Sequence, residues 1–439
     1  MEKIIFKTIV RLRRLAFFRV TYRTLMMLMP LAVVGSIFQF LWQSVFSPTS
    51  LISNIFYFDK WLPDQIFNAS WYACQGVTSV IFGTFGLFTA YFSAQYTARL
   101  YQKDAQMAGV SGMLALLLCA YRFRDIRDFQ LSFNWRFFNI NSFLFALLIG
   151  FGTGLIFRFL GTDYHHRHAE SAQVIKQRAF NSFRPMLATW LIGLVIGILA
   201  SLVHVRMTAT NFYQFFQSQG QNNLNLGIFI SLLLLALLLN WCGIGQPLVS
   251  LTAGGDSATN VANLNYALTH GSSWNVPNPY VGNSLYQSYG KFGGNGLTLV
   301  ILIGILIFIK KNDIARVARW SFIPTLFGSN QGASIGIPII LNPLFLLPYV
   351  FLPVVNMLLA ASMIAIHLIP ASAYNVLSGT PGPLYAFIAT NGNWQALIFS
   401  MLLFAFDILL YLPIVKMAKD VQDEIDLLND EEASYEYVK

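Results

Sequence analysis

Long apolar runs separated by short polar interruptions set the expectation for the whole chain. Runs at 24–46, 70–91, 107–121, 141–159, 185–205, 224–242, 297–309, 344–369 and 394–415 are long enough, or nearly so, to cross a bilayer as helices, which takes roughly 20 apolar residues each. Those at 107–121 and 297–309 fall short, and predict tilted, half or re-entrant helices packed inside the protein. The pattern predicts an all-α polytopic membrane protein of about ten membrane-embedded helices, counting hairpins that hydropathy misses.

The stretch 289–343, YGKFGGNGLTLVILIGILIFIKKNDIARVARWSFIPTLFGSNQGASIGIPIILNP, departs from a plain anchor. A glycine turn, a short apolar span, a basic loop and a Gly- and Pro-broken apolar run follow one another without pause. Lipid cannot satisfy free backbone N–H and C=O groups, so broken backbone at membrane depth survives only where protein or a wet cavity surrounds it. Such segments line transport sites in membrane transporters. On this ground 245–265 and 328–342 are expected to form two re-entrant hairpins.

Composition agrees: 56% of residues are hydrophobic and 11% charged, against about 25% charged in soluble domains. The formal charge of +9 does not indicate a nucleic-acid partner, because of where the charge lies. Lys3, Lys7, Arg11, Arg13, Arg14, Arg19 and Arg23 all precede the first apolar run. That is the positive-inside signature of a cytoplasmic N-terminal segment, 1–23, which also attracts anionic lipid. The run at 25–42 is longer than a signal core and lacks a small-residue cleavage site. Basic clusters at 99–103, 167–184 and 310–319, with Lys416 and Lys419, also read as cytoplasmic. Arg122, Arg124, Arg127 and Arg136 conflict with that assignment if 107–121 crosses fully. Residues 420–439 form an acidic cytoplasmic tail, expected to be solvated and partly disordered.

Candidate chemistry is sparse. From 171 to 419 there is no Glu, and the acids are Asp256, Asp313 and Asp407. Asp313, in a basic loop, reads as a surface counter-charge. Asp407 lies within the last span, where an acid is either functional or a packing acid bonded to a neighbouring span. Asp256 sits in GQPLVSLTAGGDSATNVANLN, either in a hairpin facing a hydroxylated ligand or in a simple Gly-Asp turn. The turn Gly293-Gly294-Asn295-Gly296 opens an apolar helix, which suits an anion or sugar oxygens but also simple close packing. Asn330, Gln331 and Asn342 offer amides that both donate and accept. Trp241, Trp274 and Trp394 are candidates for sugar stacking or for interfacial anchoring. Cys74, Cys119 and Cys242 are widely spaced and read as packing residues. His165, His166 and His168 lack the Cys or carboxylate that would complete a metal site. No Walker, HExxH or Ser-His-Asp pattern is present, so neither a metal nor a cofactor is expected.

Four blocks, in order, carry a family likeness over roughly 224–416. GGNGLTL resembles GGSGATL, and FIPTLFGSNQGASIGIPIILNP resembles LIPxxFNINEPIIFGLPIVLNP. SGTPGPLYAFIATNGNWQALIF is similar to TTPPGLxxFLATGGDWRxxxL, and LLYLPIVKM to LIYYPFFK. These are motifs of the membrane permease subunit, enzyme IIC, of the bacterial phosphotransferase system, in its lactose/cellobiose/chitobiose branch. The resemblance implies a homodimer in the bacterial plasma membrane that holds a disaccharide near mid-membrane for phosphorylation by soluble IIB and IIA subunits. It implies a permease domain over 24–419, with an oligomerisation and scaffold half (1–223) and a substrate-site half (224–419).

The likeness breaks at two functional positions. GIHG, whose histidine contacts the phosphorylated hydroxyl, stands here as Gly243-Ile244-Gly245-Gln246, with Gly245 at the histidine's place. NEP, whose glutamate binds sugar, stands as Asn330-Gln331-Gly332. A VPP-type stretch is replaced by Val174-Ile175-Lys176-Gln177-Arg178. The expected substrate set is therefore Gly245, Gln246, Asn295, Asn330, Gln331 and Asn342, with Asp256 the candidate catalytic carboxylate. The competing expectation is a degenerate relative, either transporting another polar solute without phosphorylation or serving as a membrane scaffold or receptor.

Overall fold

The computed structural model describes residues 2–125, 130–163, 172–209, 226–245, 257–309 and 313–437. Gln246 and Asp256, and the histidines at 165, 166 and 168, lie outside them. Among the described residues six helical segments are long and apolar enough to cross a membrane: Ala16–Val45, Asp64–Leu100, Ile140–Leu160, Ala172–Leu202, Pro343–Ala365 and Trp394–Leu428. Of three shorter apolar helices, Ala105–Cys119 and Asn295–Phe308 fall where the hydropathy runs were brief, while Leu226–Trp241 is shorter than its run at 224–242 led one to expect. The chain is a multi-pass membrane protein.

Its helices pack by small residues, because lipid tails supply no hydrophobic force between spans and close van der Waals approach must substitute. Gly86, Ala90, Ser93, Ala94 and Thr97 form the buried stripe of Phe85–Leu100. Facing it on Phe143–Leu160 is Gly150, where a Cβ would lie 2.5 Å from Ala90 O. Ser93 Oγ donates across the same seam to Leu147 O at 2.9 Å.

The short helix Ala105–Cys119 is capped by Asp104, whose carboxylate accepts from Met107 N. The same carboxylate takes a bidentate pair from Arg178, with Nε at 2.5 Å and Nη2 at 2.8 Å. Arg178, in the stretch that replaces the proline-rich motif, thus ties this helix to the long helix Ala172–Ala209. At its other end the otherwise helical fold has one local exception. Tyr121–Asp125 and Gln130–Phe133 pair antiparallel, with Tyr121 opposite Phe133. An alternating YRFRD pattern explains the strand, since a period of two suits an extended chain and not a helix.

The tail also differs from expectation. The last helix continues unbroken from Trp394 to Tyr437, so 420–437 is helical and not disordered. Arg13 Nη2 donates to Gln422 Oε1 at 2.9 Å, and Gln422 Nε2 to Asp426 Oδ1 at 2.8 Å. These bonds fasten the start of the tail to the N-terminal helix Glu2–Arg14.

Asp313 is exposed and pairs with Arg316 at 3.4 Å, as a surface counter-charge would. Asp407 takes the packing role. It is fully buried, and Asn356 Nδ2, on the Pro343–Ala365 helix, donates to its Oδ2 at 2.7 Å. The same amide reaches Tyr289 O at 3.2 Å, so one side chain joins two spans to the broken segment. Asp407→Leu should strand that amide and destabilise the protein by about 1–3 kcal/mol, read as an earlier thermal transition in detergent. Asp407→Asn, which keeps an acceptor, should stay much closer to wild type. Equal melting of the two variants would deny the bond this role.

Candidate functional site

Interruptions in the helices converge on one cavity of about 620 Å³. The first span widens into a π-turn at Leu41–Val45, closed by Phe46 N donating to Leu41 O at 2.8 Å. Such turns recur at functional sites because they re-aim side chains. Here Gln39, Trp42 and Gln43 line the cavity. The helix Asp64–Gly83 contributes Thr78 and Ser79 near its C-terminal end, and the 3₁₀ turn Ile140–Ser142 brings Asn139 and Asn141.

The opposite wall comes from the later part of the chain. Leu341 N donates to Trp241 O at 3.1 Å, and Leu144 N to Gly243 O at 3.3 Å. Three segments far apart in sequence are thereby docked by main-chain bonds. Asn240 lines the cavity, donates from Nδ2 to Gly245 O at 3.1 Å, and accepts from the Tyr349 hydroxyl. The glycine turn sits beside it, with Lys291, Gly294 and Asn295 in the wall. Leu297 and Leu341 hold left-handed φ of 60° and 56°, a conformation that costs energy for a branched side chain and gathers at working sites.

Of the expected residues, Asn295, Asn330 and Gln331 are brought together in this wall. Asn295 Oδ1 accepts from Tyr286 OH at 2.9 Å, and Asn330 Nδ2 donates to Thr298 Oγ1 at 3.2 Å. Gln331 lines the cavity and opens a short helix, Gln331–Gly336, seated on the first span by Gly332 N donating to Ser36 Oγ at 2.5 Å. Gly245 adjoins the cavity through Asn141 and Asn240. It has φ +70°, and a Cβ there would lie 2.6–2.8 Å from Asn141 side-chain atoms, so the asparagine fills the space a side chain at 245 would need. Asn342 is placed elsewhere. Its Oδ1 caps the Pro343–Ala365 helix by accepting from Leu344 N, and its Nδ2 donates to Pro338 O.

Trp241 and Trp394 do not line the cavity, nor does Trp274; the indole in its wall is Trp42. It escapes a hydropathy reading because it lies inside an apolar run. Polar or amphipathic residues at 39, 42 and 43, spaced three and four apart, are the signal that was available. Lys291 was missed as part of a glycine turn. The Gln39 Oε1 atom is buried without a partner among the described residues, and none of them hydrogen-bonds the Gln331 side chain. The arrangement can therefore take several hydrogen bonds from, and give several to, a hydroxyl-rich ligand. Its amides, hydroxyls and lone ammonium include no carboxylate among the described residues, so it offers no strong general base.

Known proteins can now be set beside this geometry. A segment of 142 residues is 28% identical to the cellobiose-specific EIIC component of the phosphotransferase system from Lactococcus lactis, covering 32% of this chain and 29% of that one. A segment of 145 residues is 30% identical to the lactose-specific EIICB component from Staphylococcus aureus, covering 33% and 25%. The matched region thus spans less than a third of the length of these curated relatives. The crystal structure of ChbC, the IIC component of the N,N'-diacetylchitobiose-specific system, aligns over 96% of this chain and 98% of that one, at 18% identity and a TM-score of 0.42. The family model described as "Phosphotransferase system, EIIC" matches residues 22–353, well over half the chain, and the protein accordingly belongs to that family.

Proposed function

We propose that this protein is the membrane permease subunit of a bacterial phosphoenolpyruvate-dependent phosphotransferase system and carries a disaccharide of the cellobiose, lactose or chitobiose kind. The observation that carries the reading is the cavity of about 620 Å³ lined by amides and hydroxyls, within the roughly 300–1,000 Å³ usual for ligand pockets. Trp42 supplies an aromatic face for a pyranose ring, and Gln39, Asn141, Asn330 and Gln331 supply hydrogen bonds to its hydroxyls. The names of the cellobiose and lactose relatives support the substrate class.

In this reading the protein works as a homodimer in the plasma membrane and hands its sugar to soluble IIB and IIA subunits. Residues 1–23 are a basic cytoplasmic segment, 24–419 the permease domain and 420–439 a cytoplasmic tail. The membrane domain has about ten embedded helices, with 245–265 and 328–342 as re-entrant hairpins. The pair Asp313–Leu326 and Gln331–Gly336, 14 and 6 residues long and joined by a tight turn, has the dimensions of such a hairpin: neither arm spans at 1.5 Å per residue. Single cysteines placed along 328–342 in a cysteine-free background should resist membrane-impermeant labelling from outside and be shielded further by bound sugar. Free labelling regardless of sugar would make the stretch an exterior loop.

Gln331→Leu should weaken disaccharide binding about tenfold or more, since one buried hydrogen-bond partner is worth roughly 1–3 kcal/mol and 1.4 kcal/mol is a decade. Titration calorimetry on purified protein reads this directly, and unchanged affinity would put the site elsewhere.

Phosphoryl transfer is helped by a group that orients or takes the hydroxyl proton, and Asp256 is the acid proposed for that task. With a competent soluble donor, Asp256→Asn should cut sugar-phosphate formation far more than sugar binding. A wild-type protein that binds sugar yet forms no sugar phosphate would favour the degenerate reading, to which Gly245 and Gln331 already point.

A further inference from the structure

The proposed disaccharide site contains a charge that a neutral sugar does not need. Lys291 lies in YGKFGG, directly ahead of the glycine turn, and lines the cavity beside Gly294, Asn295 and Asn330. It is the one charged residue in the described wall. The described ion pairs are Lys103–Asp163, Arg178–Asp104 and Arg316–Asp313, and no carboxylate among the described residues pairs with Lys291. The residue is half-buried. An ammonium taken out of bulk water with no counter-ion is costly, and a long cationic side chain lowers that cost by extending its head into a wet space. Lys291 lines the cavity, so that wet space is within reach of its head.

Two further features have the same sign. The 11-residue helix Thr298–Phe308 starts next to this wall at Leu297 with no side-chain cap; the main-chain Phe292 O meets Leu299 N, so no capping side chain brings a charge to offset its positive end. At 331 the wall presents an amide, which can donate to an anion where a carboxylate would repel it. Apolar residues packed behind these groups keep the local dielectric low, which lengthens the reach of an uncompensated charge.

We infer that the saccharide taken by this cavity is anionic, with its carboxylate group resting on Lys291. This rests on the saccharide-permease reading and replaces its neutral disaccharides with acidic ones of the same size, such as a uronic-acid disaccharide. Gln331, Asn330 and Asn295 then serve the hydroxyls, while Lys291 selects the charged substituent.

The test is calorimetric titration of the purified full-length protein in lipid nanodiscs with cellobiose, with its glucuronic-acid counterpart and with cellobiose 6'-phosphate. The glucuronic-acid disaccharide should bind about tenfold or more tighter than cellobiose, the scale of a charge-assisted contact. The preference should shrink with added salt. Lys291→Gln should remove the preference while leaving cellobiose binding measurable, which also shows that the variant is folded; Lys291→Arg should keep it. Tighter binding of the phosphate alone would be affinity for the product of phosphotransfer and overturns the inference. If cellobiose binds at least as well as the glucuronic-acid disaccharide, or the preference survives Lys291→Gln, the inference is overturned and the saccharide reading stands. A preference that emerges only in Asp256→Asn overturns it too, by revealing the lysine's counter-ion. If none of the three sugars binds wild-type protein, the saccharide reading falls with it.

Discussion

The satisfaction of main-chain groups at membrane depth is the constraint from which the rest of this architecture follows. In hydrocarbon an unpaired N–H or C=O has no water to turn to, so helices can be broken only where other protein closes the bonds. The breaks here are sealed locally or across segments. Phe46 N reaches back to Leu41 O, Leu299 N to Phe292 O and Ser329 N to Pro324 O, while Leu144 N and Leu341 N cross to Gly243 O and Trp241 O. Once the breaks are gathered in one place, side chains at their edges are forced to face one another. The polar cavity is what lies between them.

Glycine makes that gathering sterically possible. At Gly294, φ is +114° and a Cβ would collide with the Asn330 side chain; at Gly296 it would collide with the Tyr349 ring. Tyr349 uses the approach to reach Asn240, and Tyr411, on the last span, donates to Gly296 O at 3.1 Å. The close-packing reading of the glycine turn is the one this geometry displays. The turn allows close packing, and by doing so it holds Asn295 and Lys291 in the cavity wall.

Much of the membrane architecture was legible in the residues, since a bilayer imposes a length and a polarity that hydropathy reads directly. The shortness of 107–121 and 297–309 is real, and Asn295, Asn330 and Gln331 do meet. What stayed hidden depends on tertiary geometry. The hairpin after Cys119 is too short to outweigh the helical runs around it. Trp42 and Gln43 reach the wall from a π-turn that no residue periodicity announces. Asn342 matched a motif by position, but the fold uses it as a helix cap. Lining residues also come from both sides of residue 223, because the first span is the surface on which the Gln331–Gly336 helix rests.

Gly245 shows why the departure from the family motif is a property of the backbone as much as of one side chain. Its φ of +70° lies in the left-handed region, and Asn141 atoms occupy the direction its Cβ would take. A histidine introduced there would meet both obstacles at once, so restoring it alone cannot restore its chemistry. The turn is also held from outside, since Asn240 donates to Gly245 O and is itself held by Tyr349. The consequence is a wall where an amide stands in the space of an imidazole. Asn141 can bond a hydroxyl but cannot accept its proton. With an amide again at 331, the described wall holds neither carboxylate nor imidazole, and a proton transfer there would need a group from outside it.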